Sequence, residues 1–179
     1  MSVLVEGPDG AGKTTLIRHL MEDMPDLRLM GRFCTSEGGP VDDLFSEVRA
    51  RSSEFGIPAA LFDRHPLWSE YIYSHELGRP IASGFITPTA RSLTRVMKRQ
   101  CMVILCMPPL ERVQANLGHE EQMPGVAEHI GRIYEGYAIR GTQYTGRLYW
   151  YDYTHAPSYR DLLNETRQYV SFHHLGKGI

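Results

Sequence analysis

Cysteine is scarce, with only Cys34, Cys101 and Cys106 among 179 residues. An odd number cannot all pair within the chain, and no C-x-x-C spacing offers a zinc ribbon or a redox dithiol. A disulfide scaffold is therefore not expected, and the composition fits a reducing, intracellular compartment. Long apolar runs are also missing. The first strand-like run meets Glu6 and a glycine turn too early for a signal peptide, and no later stretch approaches the roughly 18 apolar residues of a membrane span. The chain is read as cytoplasmic, with no membrane partner. An excess of one charge is missing too: 19 Lys and Arg face 21 Asp and Glu, for a net charge of -2. No overall positive field draws in a polyanion, which argues against a large nucleic-acid surface and leaves a local groove open. There is no Asn-Lys-x-Asp sequence of the guanine-specific kind. His173 and His174 lack further spaced ligands, so no metal site is expected there. Repeats, low-complexity tracts and Ser/Gly/Pro linkers are absent, and the length suits one domain over 1–179.

What the chain does contain is alternation. Short β-branched or apolar runs at 2–6, 27–33, 59–63, 102–107 and 147–153 read as strands, and amphipathic stretches at 13–23, 41–53, 67–77, 87–99, 108–116, 126–142 and 159–170 read as helices. The run at 102–107 is apolar throughout, as a central buried strand should be. Strands alternating with helices of this length predict an α/β fold, a mostly parallel sheet covered on both faces. In such sheets ligands bind beyond the carboxyl ends of the strands. The residues after Glu6, and Asp63 with Arg64, fall there.

The strongest motif is Gly7-Pro8-Asp9-Gly10-Ala11-Gly12-Lys13-Thr14. It matches G-x-x-x-x-G-K-S/T and lies between a predicted strand and a predicted helix, the context the chemistry requires. Glycines let backbone N–H groups turn inward around phosphate oxygens, and the helix N-terminus adds its positive dipole end. Gly7, Asp9, Gly10, Ala11, Gly12, Lys13, Thr14 and Thr15 are the candidate nucleotide-binding residues. Lys13 is positioned for the β- and γ-phosphates, and the Thr14 hydroxyl for Mg²⁺. As the first residue of an exposed helix end, Lys13 is expected to have no core role. Asp63-Arg64 at the end of the third strand adds an acid able to hold Mg²⁺ through water and an arginine able to fork onto a phosphoryl oxygen. ATP and Mg²⁺ are the expected cofactors.

These segments, V-E-G-P-D-G-A-G-K-T-T-L at 5–16 and F-D-R-H-P-L-W-S-E at 62–70, with weaker agreement in C-M-P-P-L-E-R at 106–112, resemble the thymidylate kinase branch of the nucleoside monophosphate kinases, viral members included. The resemblance implies the P-loop kinase three-layer sandwich: a five-stranded parallel sheet in the order 2-3-1-4-5 with a mobile lid, here at 118–125. It implies transfer of the ATP γ-phosphoryl group to a deoxynucleoside monophosphate. It further implies that Asp9 meets the acceptor's 3'-hydroxyl, that Arg64 clamps the acceptor phosphate, and that Lys13, Asp63 and Arg64 carry the catalysis. Residues 35–39 partly resemble the family's Arg-Glu-Pro-Gly-Gly segment, with Ser36 in place of the arginine. Gly10 stands where some members carry arginine, and the lid segment has no arginine, only His119 as a cation. Arg112, Arg132 and Arg140 are candidates for the missing charge.

Further candidates for binding the acceptor are Arg32 and Phe33 at the end of the second strand, Tyr71 on the helix after Asp63-Arg64, and Arg91 on a basic helix. Solvated or core roles compete at each. The aromatics of 149–153 are expected to be packed, and Cys101 and Cys106 to be buried apolar side chains. The partner is read as a small nucleotide acceptor, with a homodimer left open. A second reading keeps the chemistry and changes the acceptor to a hydroxyl on a modified base, such as a hydroxymethylpyrimidine, or on a DNA end. A third is a regulatory ATPase without an acceptor.

Overall fold

A computed structural model describes residues 1–33, 43–119, 123–155 and 158–175. Five strands, β1 (Ser2–Glu6), β2 (Arg28–Leu29), β3 (Ala60–Asp63), β4 (Cys101–Cys106) and β5 (Arg147–Tyr151), form one sheet in the order β2-β3-β1-β4-β5. Every pairing is parallel, with Val3 opposite both Leu61 and Met102, and Val103 opposite Leu148. The fold class and strand order expected from the sequence are those observed. β1 and β4 are buried along their whole length, as strands flanked on both sides and covered on both faces must be. β5, at the edge, is less covered, with Arg147 and Trp150 exposed, Leu148 and Tyr149 half-buried and Tyr151 buried.

Among the described residues seven helices connect and cover the sheet: α1 (Lys13–Asp23), α2 (Leu44–Ala50), α3 (Pro66–Glu76), α4 (Pro88–Gln100), α5 (Leu110–Asn116), α6 (Val126–Thr142) and α7 (Ser158–Leu175). Their starts are chemically specified. Thr87 accepts from the Ala90 N–H ahead of Pro88, and Asp43 accepts from the Ser46 N–H, so each supplies an otherwise orphaned amide. Trp68, Tyr137, Phe55, Phe62, Phe85 and Met97 are among the largest fully buried side chains. Among the described residues no helix is long and apolar enough to cross a membrane.

Several boundaries differ from the sequence expectation. The second strand stops at Leu29 rather than Phe33, because Arg51 takes over the carbonyls beyond it: its guanidinium donates to Gly31 O at 2.6 Å and lies 4.0 Å from the centre of the Phe33 ring. The helix expected over 41–53 runs from Leu44 to Ala50 and gives way to a 3-10 turn at Ser52–Gly56; residues 41 and 42 lie outside the described residues. α5 begins only at Leu110, behind two prolines. β5 ends at Tyr151 because the Asp152 carboxylate accepts from the Thr154 N–H and opens a turn. α7 runs on to Leu175.

Candidate functional site

The loop between β1 and α1 is shaped by close backbone approach. Gly7 has φ 142°, and a Cβ there would stand 2.5 Å from the Cys106 carbonyl of the neighbouring strand. Gly10 has φ 75°, and its Cβ would stand 2.5 Å from the carbonyl of Val113 on α5. Only glycine fits either place. The contact at Gly10 also explains the lack of an extra loop arginine, since α5 occupies the space its side chain would need. Lys13 opens α1 and is buried, contrary to the exposed position expected of it; its Nζ donates to Pro8 O at 2.6 Å. Burial first, and then the nearby Arg64 guanidinium, push its pKa down to about 8. Thr14 and Thr15 remain exposed in the first turn.

On the β3 side the loop meets a charged cluster. Arg64 has φ 63°, a left-handed conformation rare for a residue with a Cβ. Its N–H donates to Val5 O at 3.0 Å. Its Nη2 donates to Asp9 Oδ1 at 2.6 Å and to Gly7 O at 3.3 Å, while its buried Nε has no hydrogen-bond partner among the described residues. The Tyr73 hydroxyl on α3 donates to the other Asp9 oxygen at 2.7 Å. Burial alone would raise the Asp9 pKa, but Arg64, Lys13 and the Tyr73 hydroxyl outweigh it and hold the carboxyl below its ordinary range. Beneath them Glu6, fully buried, accepts from the His65 N–H at 2.7 Å and from the Tyr137 hydroxyl of α6 at 3.2 Å. Burial pushes its pKa up to about 7 against the pull of the His65 amide, Arg64, Lys13 and Tyr137.

Asp63 is paired with Arg32, whose Nε donates to it at 2.7 Å. Phe33 packs edge-on against His65, ring centres 4.7 Å apart. His65 accepts from the Leu67 N–H through Nδ1 as the cap of α3, and burial followed by Arg51 pushes it down to about 3. It is therefore a neutral imidazole at neutral pH.

On the α5 side the contacts are neutral. Asn116 Nδ2 donates to Gly10 O at 2.8 Å and to the Tyr153 hydroxyl at 2.9 Å. The Tyr153 ring crosses Gly12, where a Cβ would stand 3.1 Å from it. This aromatic is 40% exposed, as Trp150 is at 45%, so neither is the packed residue expected from the sequence. α5 leads into a 3-10 turn at Leu117–His119, the start of the expected lid; residues 120–122 and the His119 side chain lie outside the described residues.

The structure thus brings together Gly7 to Thr15, Asp63, Arg64, Arg32 and Phe33. Tyr71 points elsewhere, its hydroxyl donating to Phe85 O at 2.7 Å, and Arg91 is exposed on α4 with no hydrogen bond or ion pair to the loop. Arg140 turns inward onto Leu67 O and Trp68, while Arg112 and Arg132 are exposed. Cys34 and residues 35–39 lie outside the described residues. Tyr73, a candidate with Trp68 and Tyr71 for stacking on the acceptor base, instead bonds Asp9; Glu6, Tyr137, Asn116 and Tyr153 are site residues that the sequence reading missed or gave other places, and of these Glu6, next to the motif, carries a local signal.

No protein-family model and no curated protein sequence matches the chain. Solved structures do. The YorR protein of Bacillus subtilis, in complex with phosphorylated GDP, superposes with a TM-score of 0.69 at 17% identity, covering 97% of this chain and 98% of that one. Deoxyadenosine kinase from M. mycoides with bound dCTP gives 0.65 at 16% identity, covering 94% and 100%. Shikimate kinase from Acinetobacter baumannii in complex with shikimate gives 0.51 at 18% identity, covering 96% and 93%. At these identities the likeness is one of fold, and the chain has the five-stranded parallel fold of the P-loop kinases.

Proposed function

We propose that the protein is an ATP-dependent kinase that transfers the γ-phosphoryl group of MgATP to the phosphate of a deoxynucleoside monophosphate, in the manner of thymidylate kinase. The observation that carries this reading is Arg64, held in a left-handed conformation with its guanidinium over the loop and its buried Nε–H without a hydrogen-bond partner among the described residues. A buried donor left unpaired costs on the order of 1–3 kcal/mol, and an anionic oxygen beside the loop would relieve that cost. The glycine loop and Lys13 suffice for the donor's phosphates. A second cation next to them supports an acceptor that is itself anionic, and weighs against an ATPase with no acceptor.

The carboxylates support the same choice. An alcohol acceptor gains from a base that takes its proton. Yet Arg64, Lys13 and the Tyr73 hydroxyl hold the Asp9 carboxyl below its ordinary pKa and so make it a weaker base, Asp63 is paired with Arg32, and Glu6 is shut away beneath the strand end. A monophosphate oxygen is already anionic at neutral pH and needs no base. This favours a monophosphate over a hydroxyl on a modified base or a DNA end.

Catalysis would then be positioning and charge neutralisation. The loop amides and Lys13 would bind the donor phosphates. The loop's inward turn and the exposed Thr14 hydroxyl fit Mg²⁺ on those phosphates; Asp63 fits through water once Arg32 gives way. The ion, when bound, neutralises phosphate charge. Arg64 would hold the acceptor phosphate, and Asp9, with a lone pair spare on each oxygen, would accept the acceptor's 3'-hydroxyl. MgATP is a cytoplasmic metabolite, and that is the compartment proposed. ATP consumption across ribo- and deoxynucleoside monophosphates, free nucleosides, and plain and hydroxymethylpyrimidine-containing duplex DNA tests the reading. Turnover with a deoxynucleoside monophosphate is expected; turnover with nucleosides or DNA and none with monophosphates would overturn it.

A further inference from the structure

Glu6 ends β1 one residue before the loop and is completely buried, so its carboxylate cannot itself meet a nucleotide. Its position has a different logic. The Arg64 N–H is tied to Val5 O at 3.0 Å, and the next amide, that of His65, is tied to Glu6 Oε1 at 2.7 Å. Two successive amides of one segment are thereby fastened to two successive residues of β1. The residue whose dihedrals lie between those fastenings is Arg64, the one with φ 63°. A left-handed residue with a side chain costs on the order of 1–2 kcal/mol and persists only where its surroundings fix it. The Tyr137 hydroxyl, 3.2 Å from the other Glu6 oxygen, fixes the carboxylate in turn from α6.

We infer that Glu6 is a positioning residue, whose buried carboxylate, by holding the His65 amide, keeps Arg64 in the conformation that turns its guanidinium onto Gly7 and Asp9. Charge works in the same direction. Arg64 and Lys13 are both drawn to the Glu6 carboxylate and repel one another, so an acid between the strand end and the loop offsets the crowding of two cations. Glutamine can reproduce the acceptor for His65 and a polar contact to Tyr137; leucine fills the volume and can do neither.

The kinetic part of this inference rests on Arg64 acting at the acceptor phosphate, and the structural part does not. Crystal structures of Glu6→Gln and Glu6→Leu read the structural part directly. In the Gln variant Arg64 should keep its left-handed φ and its bonds to Gly7 and Asp9, and in the Leu variant it should lose both. In parallel, KM for the most active deoxynucleoside monophosphate should rise at least tenfold in Glu6→Leu and stay within twofold in Glu6→Gln, with KM for ATP within twofold in both. Should Glu6→Leu fail to fold, Glu6→Asp, one methylene too short to reach the His65 amide, is expected to show the same change. Arg64 unmoved in the Leu or Asp variant would overturn the inference. Arg64→Ala run alongside separates the two readings: if it leaves the acceptor KM unchanged the proposed function fails, whereas if it raises that KM and Glu6→Leu does not, the role of Glu6 fails.

Discussion

On the β3 side of the loop the chain concentrates charge in a largely enclosed space, with Lys13 and Glu6 buried and Arg64 and Asp9 partly so, beside Tyr73 and Tyr137. On the α5 side it uses an amide and a phenol, Asn116 and Tyr153, both reached by solvent. The same loop is thus braced twice by different physics. In a low-dielectric site a fixed charge acts strongly and an unpaired one is costly, so the β3 side can select and orient an anion but must keep every charge matched. Neutral hydrogen bonds at a wet surface each contribute about 1 kcal/mol, so the α5 side can adjust while the loop keeps its shape. Substitutions among the charges of the β3 side should therefore have large effects and those on the α5 side graded ones, and each substitution below tests that division.

The largest effect is expected at Lys13, in the charged cluster of the β3 side. Lys13→Ala should reduce turnover by a factor of about 100 to 1000, as loss of a fixed transition-state donor does, measured by steady-state ATP consumption. Stability near neutral pH should hold or rise, because the wild type carries a buried ammonium whose pKa is depressed to about 8. Below that pH the folded state bears the cost of the charge, and between about 8 and the unfolded value the folded state has released the proton that the unfolded chain keeps, so wild-type stability rises with pH. The Ala variant should lack that rise in urea unfolding.

Next is Asp9. A carboxylate inside an anion-binding loop repels phosphate, and here Arg64 and Tyr73 compensate it. If it also serves the acceptor's sugar, a 2',3'-dideoxy monophosphate should be a poor acceptor for the wild type. Asp9→Ala should then shrink the preference for the 3'-hydroxyl roughly 10- to 100-fold, the size of one lost charge-assisted hydrogen bond. An equal loss with both acceptors would assign Asp9 to holding Arg64 alone.

The two sides also differed in how readable they were. The loop with its flanking strand and helix is one contiguous segment and Asp63-Arg64 is another, and glycines at this spacing between a strand and a helix are specific to a phosphate-binding turn. The sheet was legible because buried parallel strands must be apolar runs, as 101–106 is. The braces were not. Tyr137 reaches Glu6 across 131 positions and Asn116 reaches Gly10 across 106, and neither is distinguishable in its own helix from a core or solvent residue. Tyr71 and Tyr73 show the same limit: two residues apart on one helix, only Tyr73 bonds a loop carboxylate, and the helix's rotation about its axis decides which.

The charge at Glu6 gives a prediction that sharpens the dry character of the β3 side. Burial raises its pKa from 4.5 to about 7, so between those values the folded state holds a proton that the unfolded chain has released. This group therefore makes the wild type lose stability as pH rises across that window. Glu6→Gln has no such proton. Its stability relative to wild type should grow by about 2–3 kcal/mol from about pH 4.5 to about pH 8, read by urea unfolding at the two pH values. A pH-independent difference would mean that water reaches the carboxyl and that this side is wetter than its geometry indicates.

The smallest effect is expected on the α5 side, where Asn116→Ala removes the amide that holds both Gly10 O and the Tyr153 hydroxyl. Neither bond is charged, and water can replace part of each, so the loss should be about 1–1.5 kcal/mol, equivalent to a five- to tenfold rise in KM for ATP. Tyr153→Phe breaks only the bond between the two side chains and keeps the ring against Gly12, so it should move that KM by no more than about threefold. Asn116→Asp should be worse than alanine, because a carboxylate would face the Gly10 carbonyl and the donor's phosphates. In all three the acceptor KM should stay within twofold. A rise in acceptor KM that matches the rise for ATP would mean that a displacement of Gly10 is transmitted through Asp9 to Arg64, and that the loop answers to its two braces as one rigid unit.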